Sequence, residues 1–450
     1  MSNTPSPVAP TTAAAEAATA ATGAATATTE AAVEAAAAEA ATTSAPGEPL
    51  PVVVVGAGPV GLTAALALRS HGLPVTVLEA EPEDRVRPGS RALFVHRESL
   101  DLLGRISPGL DRTLISNGVI WPTRRTVYRS REVFARSYPA QPPRPGSTPP
   151  FTSLRQIETE RHLLAACRAA GVRFAWDASV ADLRSGPVGA RISCADGREF
   201  QARYVIGADG ARSQVRRSQG IAMAGERSEA FHVVVDIEED PADPLPLERV
   251  FVYEHPALGH RSVMRVPFAG GFQLDLQCKD GDRPEDWADE AAARAWVAQV
   301  VGPKYAERIL WVSKYHFLHV VAESFTDADR RVLLVGEASH LFPPFGARGM
   351  NSGIADAVAA ADAVARALTD PAEHRRAVDA FAAARKEAAR FNSDAARTAL
   401  SHLRPRRRLT RLRQAAGAAL SPLVPSCGEW LERAPYGPRT GAPTNTTGRY

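Results

Sequence analysis

Three stretches of the chain are apolar at consecutive positions instead of alternating: Val52–Val55, Tyr204–Ile206 and Val332–Val335. Runs of this kind fit strands that are covered on both faces in a parallel sheet. Each leads directly into a glycine, Gly56, Gly207 and Gly336. Beyond the first, Leu62, Ala65, Leu66 and Arg69 recur at helical spacing, Gly72 closes the helix, and Pro74 to Leu78 reads as a second strand. Beyond the third, an alanine-rich run to about Leu368 predicts a long helix. Between them, Phe231–Val235, Arg249–Tyr253 and Gly271–Leu276 carry the β-branched and aromatic residues of strands.

The first strand, turn, helix and strand contain Gly56-Ala57-Gly58-Pro59-Val60-Gly61, and Glu79 stands at the end of the second strand. Gly56 permits a tight turn, Gly58 lets the backbone approach a pyrophosphate, and Gly61 lets helix and strand pack closely, with the helix N-terminus facing the phosphates. A carboxylate about 20 residues after the glycines is placed to accept hydrogen bonds from an adenosine ribose, and it favours a free 2′-hydroxyl over a 2′-phosphate. The motif predicts a dinucleotide site and leaves FAD and NAD both open.

Composition narrows the class. The chain has 450 residues, 45% of them hydrophobic, and a formal net charge of +3. That length suits two intertwined domains, and the near-balance of charge supplies no general attraction to nucleic acid or an anionic membrane. The four cysteines, Cys167, Cys194, Cys278 and Cys427, contain no CxxC pair, which fits neither a zinc site nor a disulfide framework and suggests a reducing, cytoplasmic setting. No metal site is expected. Residues 1–49 are mostly Ala, Thr, Glu, Pro and Gly, without an aromatic residue, a signal-peptide apolar core or an arginine, and read as a disordered tail.

The second segment continues as Gly207-Ala208-Asp209-Gly210-Ala211-Arg212-Ser213. The third continues as Gly336-Glu337-Ala338-Ser339-His340, then Pro343-Pro344-Phe345-Gly346-Ala347-Arg348-Gly349-Met350-Asn351-Ser352-Gly353. Taken in order, the three segments resemble the GxGxxG, DG and GD motifs of the flavoprotein aromatic hydroxylases of the para-hydroxybenzoate hydroxylase type. The third is most similar to the subgroup of 3-(3-hydroxyphenyl)propionate and polyketide hydroxylases. The likeness runs from about residue 50 to about residue 395, supported by Ser90-Arg91-Ala92, Gln156 with Glu160 and Leu163, Val180 ahead of a glycine-containing hairpin, and Tyr315 to Phe325.

The resemblance implies an α/β fold, a Rossmann-like FAD-binding domain with an inserted mixed β-sheet substrate domain. Residues 50–113, 156–221 and 326–395 fall to the first, residues 114–155 and 222–325 to the second, and residues 396–450 to a basic C-terminal helix and tail. It implies an FAD-dependent monooxygenase that uses NADPH or NADH and O2 to hydroxylate an aromatic, phenolic or polyketide-like small molecule through a flavin C4a-hydroperoxide. Baeyer-Villiger oxidation, epoxidation, or flavin binding without oxygenation are the alternatives. FAD would be held by Gly56, Gly58, Pro59, Val60, Gly61, Glu79, Arg91, Gln156, Val180, Asp209, Gly336, Glu337, Pro344, Gly346, Gly349, Met350 and Asn351. The helix starting near Gly349 would direct backbone N–H groups at the reduced flavin's negative edge.

One position departs from the pattern: the acid of the GD motif is glutamate, Glu337, one methylene longer than the family's aspartate. In the substrate domain Tyr253, His255 and Arg261, with His260 and Gln273, are candidates to orient or deprotonate a phenol. A second GxGxxG, paired redox cysteines and a Trp-x-Trp segment are absent, which favours hydroxylation over reductase or halogenase chemistry. The arginines of the 404–413 run stand without a nucleic-acid motif and read as a solvated helix face or an interface, with no nucleic-acid or membrane partner expected. Pro435 to Arg439 resemble the linker that precedes a thioredoxin-like domain in longer relatives, and such a domain is not expected here. A monomer or homodimer is expected.

Overall fold

Val52, Val53, Val54 and Val55 are buried at the middle of a seven-stranded sheet, so no face of this run is left for water. In the computed structural model, which describes residues 50–85, 93–138, 147–343, 345–405 and 407–437, five of these strands are parallel. Their order is Arg173–Ala175, Val75–Leu78, Leu50–Val55, Glu199–Gly207, Val332–Leu334. The first half of Glu199–Gly207 pairs instead with the antiparallel hairpin Val180–Gly186 and Gly189–Cys194. Alternate valines serve different cores. Val52 and Val54 face helices Pro59–Ser70 and Arg348–Thr369, while Val53 and Val55 pack with Leu183, Ile192, Val205 and Leu334.

From the central strand Leu50–Val55 the chain passes first to the Val75–Leu78 side and later returns to the Glu199–Gly207 side. That reversal leaves a crevice at the carboxyl ends of the two strands, where ligands bind in open α/β sheets.

The second sheet has eight strands in the order His340–Leu341, Ile309–Ala322, Met223–Glu238, Gly271–Gln277, Arg261–Phe268, Glu248–His255, Thr123–Tyr128, Arg131–Ser137. Its pairs are antiparallel except for Glu248–His255 on Thr123–Tyr128. Side chains alternate across it. Phe231, Val233, Val235 and Ile237 pack on one side against Trp296, Val297 and Tyr305. On the other side Met264, Val266 and Phe268 cluster with Leu93 and Phe94, and Phe251, Tyr253, Met264 and Tyr315 belong to one apolar cluster that includes Phe345. The expected α/β architecture, with a mixed sheet added to a nucleotide-binding sheet, is therefore present. The described residues form one unit by their contacts.

Two boundaries drawn from sequence fall inside helices. Leu110–Asn117 crosses 113/114 and buries Leu114 in the nucleotide-domain core, and His374–Leu403 runs unbroken through 396. The helices that follow, Arg408–Leu420 and Pro425–Arg433, do not trail off. They cover the substrate sheet, where Glu432 accepts a 2.7 Å hydrogen bond from Thr126 Oγ1 and an ion pair from the buried Arg249. Within the arginine run, Arg404 pairs with Asp280 at 2.8 Å, while Arg407, Arg408, Arg411 and Arg413 are exposed. The disordered tail read into residues 1–49, Arg406 and the segment from Pro438 lie outside the described residues.

His402 marks this contact chemically. Its Nε2 lies 2.9 Å from the Tyr253 hydroxyl, which also donates to the Leu431 carbonyl at 2.7 Å, and burial pushes the imidazole pKa down to about 4. An unfolded histidine binds its proton near pH 6.5, so between these values the unfolded state holds the extra proton and stability falls as the solution is acidified. A loss of about 3 kcal/mol is expected across that window. Thermal melts from pH 7 to pH 4 should show it, and His402→Gln should flatten the profile; an unchanged slope in the variant would refute the assignment.

Candidate functional site: a nucleotide crevice facing the second sheet

The crevice is built by three strand ends stitched to one another. Gly56 N donates to Leu78 O at 2.8 Å, Ala208 N to Val55 O at 2.8 Å and Val335 N to Gly207 O at 3.0 Å. Gly56 has φ +103°, and a Cβ there would lie 2.5 Å from the Ala208 carbonyl oxygen. A Cβ on Gly61 would stand 1.9 Å from the Gly56 carbonyl oxygen, so the helix can start where it does only because residue 61 has no side chain. Gly58, with φ −78° and ψ 178°, caps helix Pro59–Ser70 in a conformation any residue adopts. Val60 packs on the side away from the turn, against Gly336 and Gly353.

Glu79 is buried at the edge of this turn. One carboxylate oxygen accepts the Ala57 N–H at 2.6 Å and the other accepts the Glu81 N–H at 3.1 Å. Arg85, which sequence reasoning passed over, donates to the Ala57 carbonyl at 2.9 Å and lies over the Trp176 ring at 5.1 Å. Its signal was a basic residue six positions after the acid.

Across the crevice, Asp209 Oδ2 accepts the backbone N–H groups of Gln214 at 2.6 Å and Val215 at 2.9 Å. Its Oδ1 is buried and has no hydrogen-bond partner among the described residues. Arg216 ties this loop to the third motif by donating to the Ala338 carbonyl at 3.1 Å; burial lowers its pKa, against the pull of Asp209. Glu337 sits exposed in the short helical turn Gly336–Ala338, at the open side of the crevice.

That turn is held from below by a group the sequence reading did not single out. Asp356, fully buried, accepts from Gly336 N at 3.1 Å, His340 Nε2 at 2.6 Å and Arg385 Nε at 2.6 Å. Burial works against its charge, but Arg385 and His340 hold its carboxyl below the usual carboxylate range. The signal was a carboxylate set in the helix's apolar run, Ile354-Ala355-Asp356-Ala357-Val358, where it needs a partner.

Helix Arg348–Thr369 starts from Ala347 at φ +54°, preceded by Gly346 at φ +80°, and has no side-chain cap among the described residues. The backbone N–H groups of its first turn, Gly349 and Met350 among them, lie at the positive end of the helix dipole. The Asn351 side chain is engaged within the protein. Its Oδ1 accepts from His96 N at 2.9 Å and Ser99 Oγ at 2.7 Å, and its Nδ2 donates to Phe94 O at 2.9 Å and Ala347 O at 2.7 Å. Asn351 clasps the loop, and His96 Nε2 meets the Gly346 carbonyl at 3.0 Å on the same loop.

The remaining expected cofactor residues are more scattered. Gln156 begins helix Gln156–Ala169 and donates to Glu160 at 2.9 Å, and Val180 opens the hairpin and packs with the Val53 and Val55 core. Arg91 and Pro344 lie outside the described residues. The substrate-domain candidates do not converge. Tyr253 faces His402 and the C-terminal helices, Arg261 is paired with Asp282 and stacked on Trp287 at 4.0 Å, and His255 is half-buried at the far strand end. His260 has φ +60° in the adjoining turn, and Gln273 donates to Asp236 at 2.8 Å.

Taken as a group, these features fit FAD: glycines whose Cβ would strike backbone, a buried acceptor oxygen on Asp209, two uncapped helix starts and an acid at each end of the crevice. No helix among the described residues is long and apolar enough to cross a membrane.

Comparison with known proteins points to the same cofactor. The model of the FAD binding domain family matches residues 49–396. A rifampicin monooxygenase of Streptomyces venezuelae is 30% identical over 319 residues, 68% of this chain and 62% of that protein. A dialkyldecalin synthase of Streptomyces rugosporus is 28% identical over 312 residues, 68% of this chain and 63% of that protein. The crystal structure of the flavin-dependent monooxygenase PieE with FAD and substrate superimposes with a TM-score of 0.67 at 25% identity, covering 80% of this chain and 65% of that one. The chain thus spans about three fifths of the length of these curated relatives. With three quarters of its length inside one family model, the chain belongs to the FAD binding domain family.

Proposed function

We propose that the protein is an FAD-dependent monooxygenase that hydroxylates a phenolic or polyketide-like aromatic compound with NAD(P)H and O2. The observation that carries this reading is a strand-end crevice with room for a dinucleotide at Gly56 and Gly61, set beside a second sheet whose inner face meets the loop at Phe345. Bound FAD would supply the redox chemistry, accepting a hydride equivalent and activating oxygen. The chain's own residues do the rest. Gly56, Gly58 and Gly61 make room for the pyrophosphate, Glu79 takes the adenosine ribose, Asp209 and Glu337 face the cofactor's central portion, and the N–H groups from Gly349 to Asn351 favour negative charge on the ring. Leu93, Phe94, Met264, Val266 and Phe345 give an apolar wall that keeps water from the reacting face.

Purified protein should show flavin absorbance bands. It should oxidise NADH or NADPH faster when an aromatic substrate is added, and yield a product one oxygen atom heavier. Flavin-loaded protein whose NAD(P)H oxidation answers to no member of a panel of phenols and polyketide aromatics would refute the reading. That outcome would favour a flavin-binding role without oxygenation, a reading the dialkyldecalin synthase likeness keeps open. Localisation in the cytoplasm and action as a monomer or homodimer belong to the same proposal.

Glu337 provides a graded test. A carboxylate one methylene further out should hold the cofactor's sugar chain less firmly, and sub-ångström placement matters in pre-organised sites. Glu337→Asp is expected to tighten FAD severalfold, measured by flavin fluorescence titration, and to lower the peroxide formed per NAD(P)H oxidised. Weaker FAD or an unchanged peroxide yield would mean that the turn has been built around glutamate.

A further inference from the structure

We propose that His232 and Asp275 form an acid–base pair at the substrate face of the second sheet, with His232 receiving the phenolic proton of the substrate and Asp275 positioning it. The inference rests on the aromatic-hydroxylase reading above and adds to it the residue that ionises the substrate. His232 lies on strand Met223–Glu238 with the parity opposite to Phe231 and Val233, so it projects to the side that meets the nucleotide domain and not to the side packed on Trp296. It is completely buried, and its Nδ1 is 2.5 Å from Asp275 Oδ1 on the neighbouring strand. Its ring stands edge-on to Phe345 of the flavin loop, with centroids 5.8 Å apart, and tilts against Tyr315 at 5.8 Å. One imidazole thus touches both the sheet and the loop that carries the cofactor.

The chemistry follows from the tautomer. With its Nδ1–H given to Asp275, the neutral ring carries its lone pair on Nε2. When a phenol meets that nitrogen, its O–H bond breaks, the proton passes to Nε2, and the electron pair stays on the substrate oxygen. The resulting imidazolium is balanced by the Asp275 carboxylate beside it. The phenolate is the more electron-rich ring, as electrophilic oxygenation demands. The other polar groups on this face are Gln277, opposite His232 on the neighbouring strand, Asp236, held to Gln273, Ser313 and the Tyr315 hydroxyl, and farther along the sheet Tyr253 and Arg249, the latter paired with Glu432; the flavin loop contributes Phe345, which does not titrate. Val234 separates His232 from Asp236 on the strand. The earlier candidates are committed elsewhere, since the Tyr253 hydroxyl bonds Leu431 and His402 and Arg261 is paired with Asp282.

The test uses FAD-loaded protein and 4-nitrophenol, whose phenolate is read by its absorbance after subtraction of the flavin spectrum. In the wild type the bound probe is expected to ionise at a pH about one unit below the free probe. His232→Gln should remove that shift while leaving FAD content and melting temperature near wild type, and Asp275→Asn should reduce it by misorienting the ring. If the bound probe ionises identically in wild type and both variants, the proposal fails and the monooxygenase reading stands. If His232→Gln does not fold, Asp275→Asn alone decides, and a full-sized shift in it overturns the pair. If flavin-loaded wild type binds no 4-nitrophenol, the pair falls while the monooxygenase reading still answers to the panel of phenols and polyketide aromatics, whereas absence of flavin bands sinks the proposed function before the pair is reached.

Discussion

A Gly61→Val protein is expected to purify without flavin and to lose about 4 kcal/mol or more of stability, at the upper end of what single substitutions do. The reason is geometric. The new Cβ would lie 1.9 Å from the Gly56 carbonyl oxygen, a backbone atom that is itself fixed by its place in the turn. Neither can yield without pulling helix Pro59–Ser70 off the sheet, and with it the N–H groups meant for the pyrophosphate. Gly72→Ala is the control. That residue also has a positive φ, +75°, but nothing lies within 4 Å of its would-be Cβ, so only backbone strain of about 1 kcal/mol is expected and flavin should be retained. Absorbance at the flavin bands and denaturant unfolding of both variants check this. A yellow Gly61→Val protein of near-wild-type stability would show that the turn does not form as described.

The parts of the fold that could be read from sequence are those whose cause is local. Val52–Val55 is apolar at every position because both faces are covered, and the glycines follow it because strand, turn and helix must pass within contact distance. Phe231–Val235, Arg249–Tyr253 and Gly271–Leu276 all lie within observed strands, Met223–Glu238, Glu248–His255 and Gly271–Gln277. Helix Arg348–Thr369 ends one residue from where the alanine run suggested.

What stayed hidden depends on which way a strand turns its faces and on partners far away in the chain. Tyr253 and His232 both occupy strands of one sheet, and nothing in either stretch says that Tyr253 meets the C-terminal helices while His232 meets the flavin loop. Those contacts are made with residues 402 and 345, more than a hundred positions distant. The continuation of helix His374–Leu403 past 396 was hidden for the same reason: likeness to a family ended near there, while burial of Ala396, Ala399 and Leu403 against the second sheet's neighbours did not. Asn351 was read for its backbone N–H, but its side chain proves to be a four-bonded clasp, since an amide can serve both strand and loop.

The buried Asp356 group offers the second large effect, because it couples the core to the crevice. Arg385→Met would remove the guanidinium that sits 2.6 Å from Asp356 and leave the carboxylate to His340 and the Gly336 N–H, at an expected cost of about 3–5 kcal/mol. Asp356→Asn should cost a similar amount by stranding the fully buried Arg385 charge, whereas the double variant should recover part of either loss, since the two substitutions remove one pair. The pH dependence separates this group from His402. Asp356 is held below the ordinary carboxylate pKa, so its contribution is complete above that ordinary value, near 3.8, and disappears only as the pH falls through the lower folded value. His402 acts between about 4 and 6.5 instead. Because Asp356 also accepts the Gly336 N–H, the turn that presents Glu337 should loosen in Arg385→Met, and FAD affinity should fall even under conditions where the protein stays folded. Flavin fluorescence titration beside denaturant unfolding distinguishes the two effects. Lost stability with unchanged FAD affinity would confine the group to the core, and unchanged stability would mean that Asp356 is neutral in the folded protein.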